Sequence, residues 1–308
     1  MISIFLSILP VLLFFALGTL LKNKNFLKEG SSSDIKKIVS NLALPALLFQ
    51  AFASLNLEVR FLLLVLLIFL ICALMIFIGK VTARILKIKT PYWSLMMGGF
   101  EMGMLGYALF LSIYGHEHLA KFALMDLGQV LFVFFILMAL LIREKEGHSS
   151  ARVLLLSFIK SPVILAIFAG LLTGTVKTMI NPNALTRALG EFLVLAGNLT
   201  VPLISLMIGY ELSFKRKGMV LALKTVLIRK TFLIILALLV NRFIIREYMG
   251  LDRIYEMALL TMFLLPPPFV ISIYMKQEDR ENLDYVNNTL SLSTVISVTI
   301  LIIMTVLY

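Results

Sequence analysis

Long apolar stretches separated by short polar loops fill almost the whole sequence. Ten such stretches can be marked, and each is close to the roughly 20 residues that a helix needs to cross a bilayer. We therefore predict an all-α polytopic membrane protein with ten transmembrane helices and little folded chain outside the membrane. The predicted spans, one to ten, are Ser3–Leu21, Ile35–Ala53, Phe61–Gly79, Tyr92–Tyr114, Phe122–Ile142, Val153–Thr175, Glu191–Tyr210, Met219–Val240, Glu256–Met275 and Leu283–Leu307.

The ninth span contains three consecutive prolines, Pro266, Pro267 and Pro268, within an apolar segment. Proline lacks a backbone N–H and pushes the preceding residue out of helical geometry, so a continuous helix cannot run through this triplet. In a bilayer, an interrupted helix is tolerated only where it is buried in protein or lines a wet cavity. The pattern predicts a broken helix that forms half of a transport site. The alternative is a hinge that never contacts substrate.

Two short patterns occur once in each half of the chain. A proline precedes a glycine by eight residues in spans one and six, and an Asn-Leu-x-apolar-Pro string occurs in spans two and seven. The repeated positions are Pro10, Gly18, Asn41 and Pro45 in the first half and Pro162, Gly170, Asn198 and Pro202 in the second. With five spans per half, the second half enters the membrane from the opposite side. We therefore predict an inverted repeat of residues 1–147 and 148–308, the plan of many secondary transporters.

An inverted repeat predicts that span four is broken like span nine. Span four contains four glycines, which weaken a helix, although glycine also serves close helix contacts in membranes. These are Gly98, Gly99, Gly103 and Gly106. Glu101 lies among them near mid-depth, where an unpaired carboxylate would cost about 2.5–3.5 kcal/mol.

Arg229 and Lys230 lie near the centre of span eight, where an unpaired cation would also be costly. Two interpretations stay open. Glu101 and Arg229 form an ion pair that only stabilises the bundle, or Arg229 binds an anionic substrate and Glu101 carries a proton.

Spans five and ten carry polar residues at the same spacing. Asp126 and Gln129 lie three residues apart, as do Asn288 and Ser291, so each pair shares one helical face. Polar groups within spans usually face protein or a cavity, and ionisable ones are candidate functional residues. Hydrogen bonds that merely hold the bundle together are the alternative, and Asp126 would be ordinary if it lies near the outer interface.

Charge distribution indicates topology rather than a nucleic-acid partner. The net charge is +11, but the basic residues lie in short loops. Loops after the odd-numbered spans contain 19 Lys and Arg and the alternate loops contain 7. The positive-inside rule then predicts a multi-pass protein of the cell (inner or plasma) membrane with both termini extracytoplasmic. Span one has no basic region before it, so we expect a retained span rather than a signal peptide.

The sequence offers no sign of catalysis, metal or cofactor. Cys72 is the single cysteine, which excludes a disulfide framework and a thiolate metal site. The string His116-Glu117-His118 is too closely spaced for a helical metal pair, and no nucleotide or protease motif is present. An intramembrane enzyme would need paired carboxylates or a nucleophile with a base at mid-depth, and the spans contain no histidine.

Six segments resemble the auxin efflux carrier family, the PIN-like carriers of plants and their bacterial relatives. They are Asn41–Phe49, Gly99–Phe110, Lys160–Leu172, Asn198–Leu212, Leu264–Tyr274 and Asn287–Leu301, in family order over essentially the whole chain. The resemblance implies ten helices in two inverted repeats, with spans one, two, six and seven as a scaffold and the others as a moving transport domain. Spans four and nine would be broken and cross each other. The long cytoplasmic loop of the plant members is absent here, as in a bacterial-type member.

The same resemblance implies export of a small organic anion, such as auxin or a carboxylate, by a protein that often forms homodimers. Two departures matter. Where this chain has Glu101, the family usually has an Asn that contacts substrate. Near the position of Ala108, the family usually has a proline. A carboxylate at this position puts a simple anion site in doubt and favours proton coupling or a less acidic substrate.

We therefore predict a secondary transporter that moves a small organic anion by alternating access, coupled to a proton in preference to sodium. Its other partners would be membrane lipid and a second copy of the chain. The alternatives are a sodium-coupled symporter of the bile-acid type and a non-transporting membrane sensor. The predicted substrate-binding residues are Asn41, Glu101, Gly103, Gly106, Asp126, Gln129, Asn198, Arg229, Pro267, Pro268 and Asn288.

Overall fold

The computed structural model describes residues 2–28, 30–55, 58–147, 150–176, 183–275 and 279–307. Within these ranges the regular structure is helical, without strands, which confirms the all-α prediction. The α-helices are α1 Ile2–Asn23, α2 Ser31–Ile38, α3 Leu44–Ala53, α4 Phe61–Ile85, α5 Tyr92–Leu95, α6 Tyr107–Tyr114, α7 Leu119–Phe132, α8 Met138–Glu146, α9 Ala151–Ile159, α10 Pro162–Val176, α11 Ala184–Asn198, α12 Thr200–Glu211, α13 Met219–Leu239, α14 Arg253–Leu264, α15 Val270–Ile273 and α16 Arg280–Leu307. Short π-helical segments cover Val39–Ala43, Met102–Gly106, Val133–Leu137 and Val240–Tyr248.

Five helical stretches in the described part of the chain are long and apolar enough to cross a membrane. A sixth is added if α9 and α10, which meet at a 55° bend, count as one span. Three other predicted spans differ from a plain apolar helix. Spans four and nine are interrupted, and α13 carries Lys224, Arg229 and Lys230.

Local chemistry explains where several helices begin and end. Asn183 begins α11 with a reciprocal capping box, in which its side chain accepts from the backbone N–H of Thr186. Asp252 accepts from the backbone N–H of Ile254 at the start of α14. The same helix ends at Leu264, two residues before the first proline of the triplet, because proline disfavours helical geometry in the residue before it.

The chain divides into two compact units. Unit 1 comprises Met1–Glu58, Gly103–Ala123 and Phe158–Leu212, and unit 2 comprises Val59–Met102, Leu124–Ser157 and Ser213–Tyr308.

Unit 1 is built on two pairs of tightly packed helices, α1 with α12 and α3 with α10. A Cβ atom added at Gly18 would lie 2.0 Å from the carbonyl oxygen of Leu206, and one added at Gly209 would lie 2.1 Å from that of Phe15. The Thr19 hydroxyl donates to the carbonyl of Gly209 at 3.0 Å. Backbones this close require glycine, as in other membrane helix pairs.

The second pair uses the same device. A Cβ atom at Gly170 of α10 would lie 2.6 Å from the carbonyl oxygen of Phe49 in α3. Gly18 and Gly170, the glycines of the repeated pattern, therefore both serve close backbone contacts.

Unit 2 packs α4 against α5, and α13 against both α14 and α16. Trp93 in α5 is fully buried, and its indole N–H donates to the hydroxyl of Thr82 at 3.0 Å. Gly128 of α7 lets the helix approach α4, because a Cβ atom there would lie 2.2 Å from the carbonyl oxygen of Val65.

Candidate functional site

Both glycine-rich and proline-rich segments interrupt their helices. Around the proline triplet, α14 ends at Leu264 and α15 begins at Val270, with Leu265 in an extended conformation. In the glycine-rich segment, α5 ends at Leu95 and the next helical segment begins at Met102. We call residues 96–101 and 265–269 the break pair.

The two members of the break pair contact each other. The backbone N–H of Glu101 donates to the carbonyl of Pro266 at 2.9 Å, and its carboxylate accepts from the backbone N–H of Phe269 at 2.5 Å. Gly99 has a φ of +71°, and a Cβ atom there would lie 2.8 Å from Cγ of Pro268. Glu101 therefore binds both a carbonyl and an N–H that the proline-rich interruption leaves outside any helix.

Arg229 binds both members of the break pair from α13. This side chain is 1% exposed. Its guanidinium donates to the carbonyls of Met97 at 3.3 Å, Gly99 at 2.6 Å and Leu265 at 2.7 Å. Carbonyls at the end of a helix lack partners and carry partial negative charge, so a cation stabilises them. The ring of Phe100 lies 5.3 Å from the guanidinium carbon and adds a cation–π contact.

Lys230 binds the end of α14, directly before the proline-rich member. Its buried ammonium donates to the carbonyl of Leu264 and to the hydroxyl of Ser297, the latter at 2.7 Å. The Ser297 hydroxyl also lies 2.5 Å from the same Leu264 carbonyl. Two adjacent cations are thus held at the ends of interrupted helices, where hydrogen bonds offset part of the cost of burying them.

Asp126 and Gln129 lie together in α7 of unit 2. Both are buried, and the Gln129 side-chain amide donates to the Asp126 carboxylate at 3.2 Å. The Gln129 side-chain oxygen has no hydrogen-bond partner among the described residues. It is a buried acceptor that can take a hydrogen bond.

Asn288 is fully buried and holds a neighbouring loop. Its side-chain oxygen accepts from the backbone N–H of Lys215 at 2.7 Å, and its amide donates to the carbonyls of Lys215 at 2.9 Å and Lys217 at 2.8 Å. Both amide hydrogens are therefore used. This geometry matches the bundle-holding alternative of the sequence analysis.

The remaining predicted residues belong to different units. Pro267 and Pro268 are buried in unit 2. Gly103 and Gly106 belong to unit 1 and lie in the π-helical segment Met102–Gly106.

Asn41 and Asn198 are both exposed in unit 1. The amide of Asn41 donates to the carbonyl of Lys37 at 2.8 Å. Asn198 lines an open cavity of about 320 Å³ together with Pro10, Ser112 and Pro202.

Sequence reasoning missed three features of the break pair and its surroundings. Gly99 was one of four glycines, and nothing in the sequence singled out its positive φ. Lys230 is a cation in the middle of span eight but is not among the predicted substrate-binding residues. Ser297, one of several hydroxyl residues in span ten, is the signal that could have suggested a buried partner for Lys230.

Comparison with known protein families gives a match over nearly the whole chain. A sequence model of a family described as "Membrane transport protein" matches residues 3–305, nearly the whole chain. No curated protein matches it. Together with the apolar helices, this match identifies a multi-pass membrane protein.

Proposed function

The chain belongs to the auxin efflux carrier family of membrane transport proteins, and on that premise we propose that it moves a small organic anion, a carboxylate, by alternating access. The observation that carries the proposal is the contact between the two interrupted helices through Glu101. Broken helices in transporters supply backbone groups and partial charges to a substrate. The contact between two interrupted helices therefore supports a carrier.

The proposed architecture is ten spans in two inverted repeats, residues 1–147 and 148–308, with spans one, two, six and seven as the scaffold. Unit 1 supports it, since it gathers α1, α3, α10 and α12 from those four spans. Unit 1 also includes Gly103–Ala123, from spans four and five, which the predicted scaffold lacks. We further propose that the protein lies in the cell membrane, that both of its termini are extracytoplasmic and that it forms a homodimer.

Arg229 has a positioning role in this proposal. Three of its five N–H groups donate to carbonyls of the break pair. Its charge offsets the partial negative charge of those carbonyls, and this favours an anion nearby. The proposed substrate contacts in unit 2 are the Gln129 side-chain oxygen and the backbone next to Pro268.

Glu101 is the proposed site of proton coupling. It is 8% exposed and accepts a hydrogen bond from the backbone of the other interrupted helix. Protonation would remove the charge that strengthens this contact, because hydrogen bonds to ionised groups are the stronger ones. A change in its protonation would therefore alter the contact between the two interruptions.

The test is binding and uptake of a panel of small carboxylates by purified protein in vesicles. We expect wild-type protein to take up at least one carboxylate in response to a pH gradient. Glu101→Gln should keep the fold and bind the same carboxylate without responding to the gradient, and Arg229→Ala should lose binding. Glu117→Gln, at an exposed position, is the matched control and should behave as wild type.

Failure to bind or move any carboxylate would overturn the organic-anion proposal. A Glu101→Gln variant that still follows the pH gradient would overturn the coupling role alone. Uptake that depends on added sodium would show that the coupling ion is sodium and not the proton.

A further inference from the structure

The end of α4 carries a group of exposed cations, on the cytoplasmic side in the predicted topology. Lys80 and Arg84 lie four residues apart in the helix and therefore on one face of it. Lys87 follows the last residue of the helix, Ile85, by two positions. All three cations are exposed, and in the described part of the chain none of them forms an ion pair or a side-chain hydrogen bond. We call these three residues the α4 basic cluster.

The positive charge of the cluster is not balanced by acids of the same segment. The sequence contains no Asp or Glu from Val59 to Phe100. Lys89, a fourth basic residue nearby, lines a cavity together with Asp279 and Glu281. We leave Lys89 out of the cluster because its charge is shared with these two carboxylates.

Lys87 occupies a position at which helices usually have glycine. The backbone N–H of Ile88 donates to the carbonyl of Ala83 at 2.8 Å, and that of Lys87 donates to the carbonyl of Arg84 at 3.3 Å. These two bonds are the Schellman pattern, which ends a helix with one residue in the left-handed conformation. Lys87 is that residue, with a φ of +54°. The chain thus holds a third cation at the helix end, at a conformational cost that glycine would avoid.

The face of α4 that carries Lys80 and Arg84 is apolar along the rest of the helix. Exposed apolar side chains recur every three or four residues, and so they form one continuous stripe along the helix. The stripe consists of Leu62, Leu66, Leu70, Leu74, Phe77, Val81 and Ile85. Lys80 and Arg84 follow Phe77 by three and seven residues, which places them at the end of this stripe. A ligand with an anionic head and a long apolar body would contact both features.

A second copy of the chain is less suited to this face than a lipid. In a symmetric dimer the same surface of both subunits meets at the interface. Two subunits with the same orientation in the membrane would therefore bring their basic clusters together on one side of the bilayer. Like charges placed side by side at an interface disfavour the complex, whereas an anionic headgroup neutralises them.

We propose that the α4 basic cluster binds the phosphate of an anionic phospholipid of the cytoplasmic leaflet, whose acyl chain lies along the apolar stripe. Basic residues directly cytoplasmic of a transmembrane helix attract such lipids, because this leaflet has a negative surface potential. The proposal depends on the predicted orientation, in which the loop after span three is cytoplasmic. It does not depend on which substrate the carrier moves.

Trp93 provides a local measurement of the bound lipid. It is the single tryptophan of the sequence, and its indole N–H donates to the hydroxyl of Thr82, between Lys80 and Arg84 in α4. Bromine atoms on an acyl chain quench tryptophan fluorescence only at short range. Each protein is reconstituted in mixed vesicles of phosphatidylcholine and phosphatidylglycerol, in which one lipid or the other is brominated. The two quenching curves give the relative affinity of the two lipids for this site.

Three variants separate the charge of the cluster from its role in the fold. Lys80→Gln/Arg84→Gln removes two of the cations. Lys87→Gly removes the third and supplies the residue that this helix end favours, so its unfolding temperature should be at least that of the wild type. Lys24→Gln/Lys28→Gln is the matched control, because these two lysines are exposed, lie on the same predicted side and belong to unit 1.

We expect brominated phosphatidylglycerol to quench the wild type more strongly than an equal fraction of brominated phosphatidylcholine. This preference should fall about 5–25-fold in Lys80→Gln/Arg84→Gln and up to about fivefold in Lys87→Gly, since each cation near an anionic surface contributes up to about fivefold. The control should keep the preference. In about 1 M salt, where the Debye length is about 3 Å, the wild type should lose most of it.

Equal quenching by the two lipids in the wild type would overturn the proposal, as would an unchanged preference in both cluster variants. No quenching by either lipid would overturn it too, because a second copy or another partner would then cover the stripe. A preference that falls as much in the control as in the cluster variants would reveal a diffuse attraction to the total charge of the protein, which also contradicts a site at α4.

Discussion

The two interrupted helices of unit 2 reach similar geometry by different means. At the proline triplet the chain itself forbids a helix, because three backbone N–H groups are missing whatever surrounds them. The glycine-rich segment could form a helix at a modest cost. It is interrupted where Gly99 adopts a φ of +71° against the ring of Pro268, and where Glu101 pairs with the proline-rich backbone. One interruption is imposed locally, and the other depends on its partner.

Removing Arg229 should affect both interruptions and have the largest effect. Arg229→Met leaves three buried carbonyls without their donor, which we expect to lower the free energy of unfolding by about 3–5 kcal/mol. The measurement is thermal unfolding of purified protein in detergent. Lys224→Met, at an exposed position of the same helix, is the control and should unfold near the wild-type temperature. Equal stability of the two variants would contradict the positioning role of Arg229.

Changing Gly99 should affect the glycine-rich interruption first. Gly99→Ala places a side chain at positive φ and against Pro268, so we expect a loss of about 2–4 kcal/mol. Because the proposed transport site needs both interruptions, carboxylate uptake by Gly99→Ala should fall together with its stability. Gly190→Ala is the control. A Cβ atom added at Gly190 would meet nothing within 4 Å and the φ is ordinary, so this variant should be neutral or slightly stabilising. A Gly99→Ala protein with wild-type stability and uptake would show that this contact is unnecessary.

Changing Lys230 should have a smaller effect, confined to the proline-rich interruption. Lys230→Met removes one donor to the Leu264 carbonyl, but the Ser297 hydroxyl remains close to that oxygen. We expect a loss of about 1–2 kcal/mol. The double variant with Ser297→Ala should lose more than the sum of the single variants, because the carbonyl then has neither donor. Additive losses would exclude this shared function.

A single proline change should have the smallest effect. In Pro267→Ala, the prolines on either side still prevent a helix, so we expect a loss of about 1 kcal/mol or less and near-normal uptake. Replacing all three prolines by alanine should abolish uptake. Normal uptake by the triple variant would favour a sensor over a carrier.

The features of the fold that have a cause within their own segment of sequence were predictable. The apolar runs predict the helical membrane class, and the proline triplet predicts its own interruption at Leu264. The family resemblance, carried by six segments along the chain, is confirmed by the match over residues 3–305.

What the sequence left open depends on contacts distant in the chain. It placed Arg229 in mid-span, but the three carbonyls that it binds are more than 30 residues away in the chain. Likewise, the spacing of Asn288 and Ser291 allowed a cavity or a bundle contact, and only the fold shows the loop at Lys215 that Asn288 binds.

The close contact between α1 and α12 has a consequence for biosynthesis. Thr19 and its partner Gly209 are 190 residues apart. At a synthesis rate of about 5–20 residues per second, α1 is made about 10–40 s before its partner. During that interval its glycine face is without its final partner and is open to other newly inserted helices. A chaperone or insertase that shields this face would act here, early in translation.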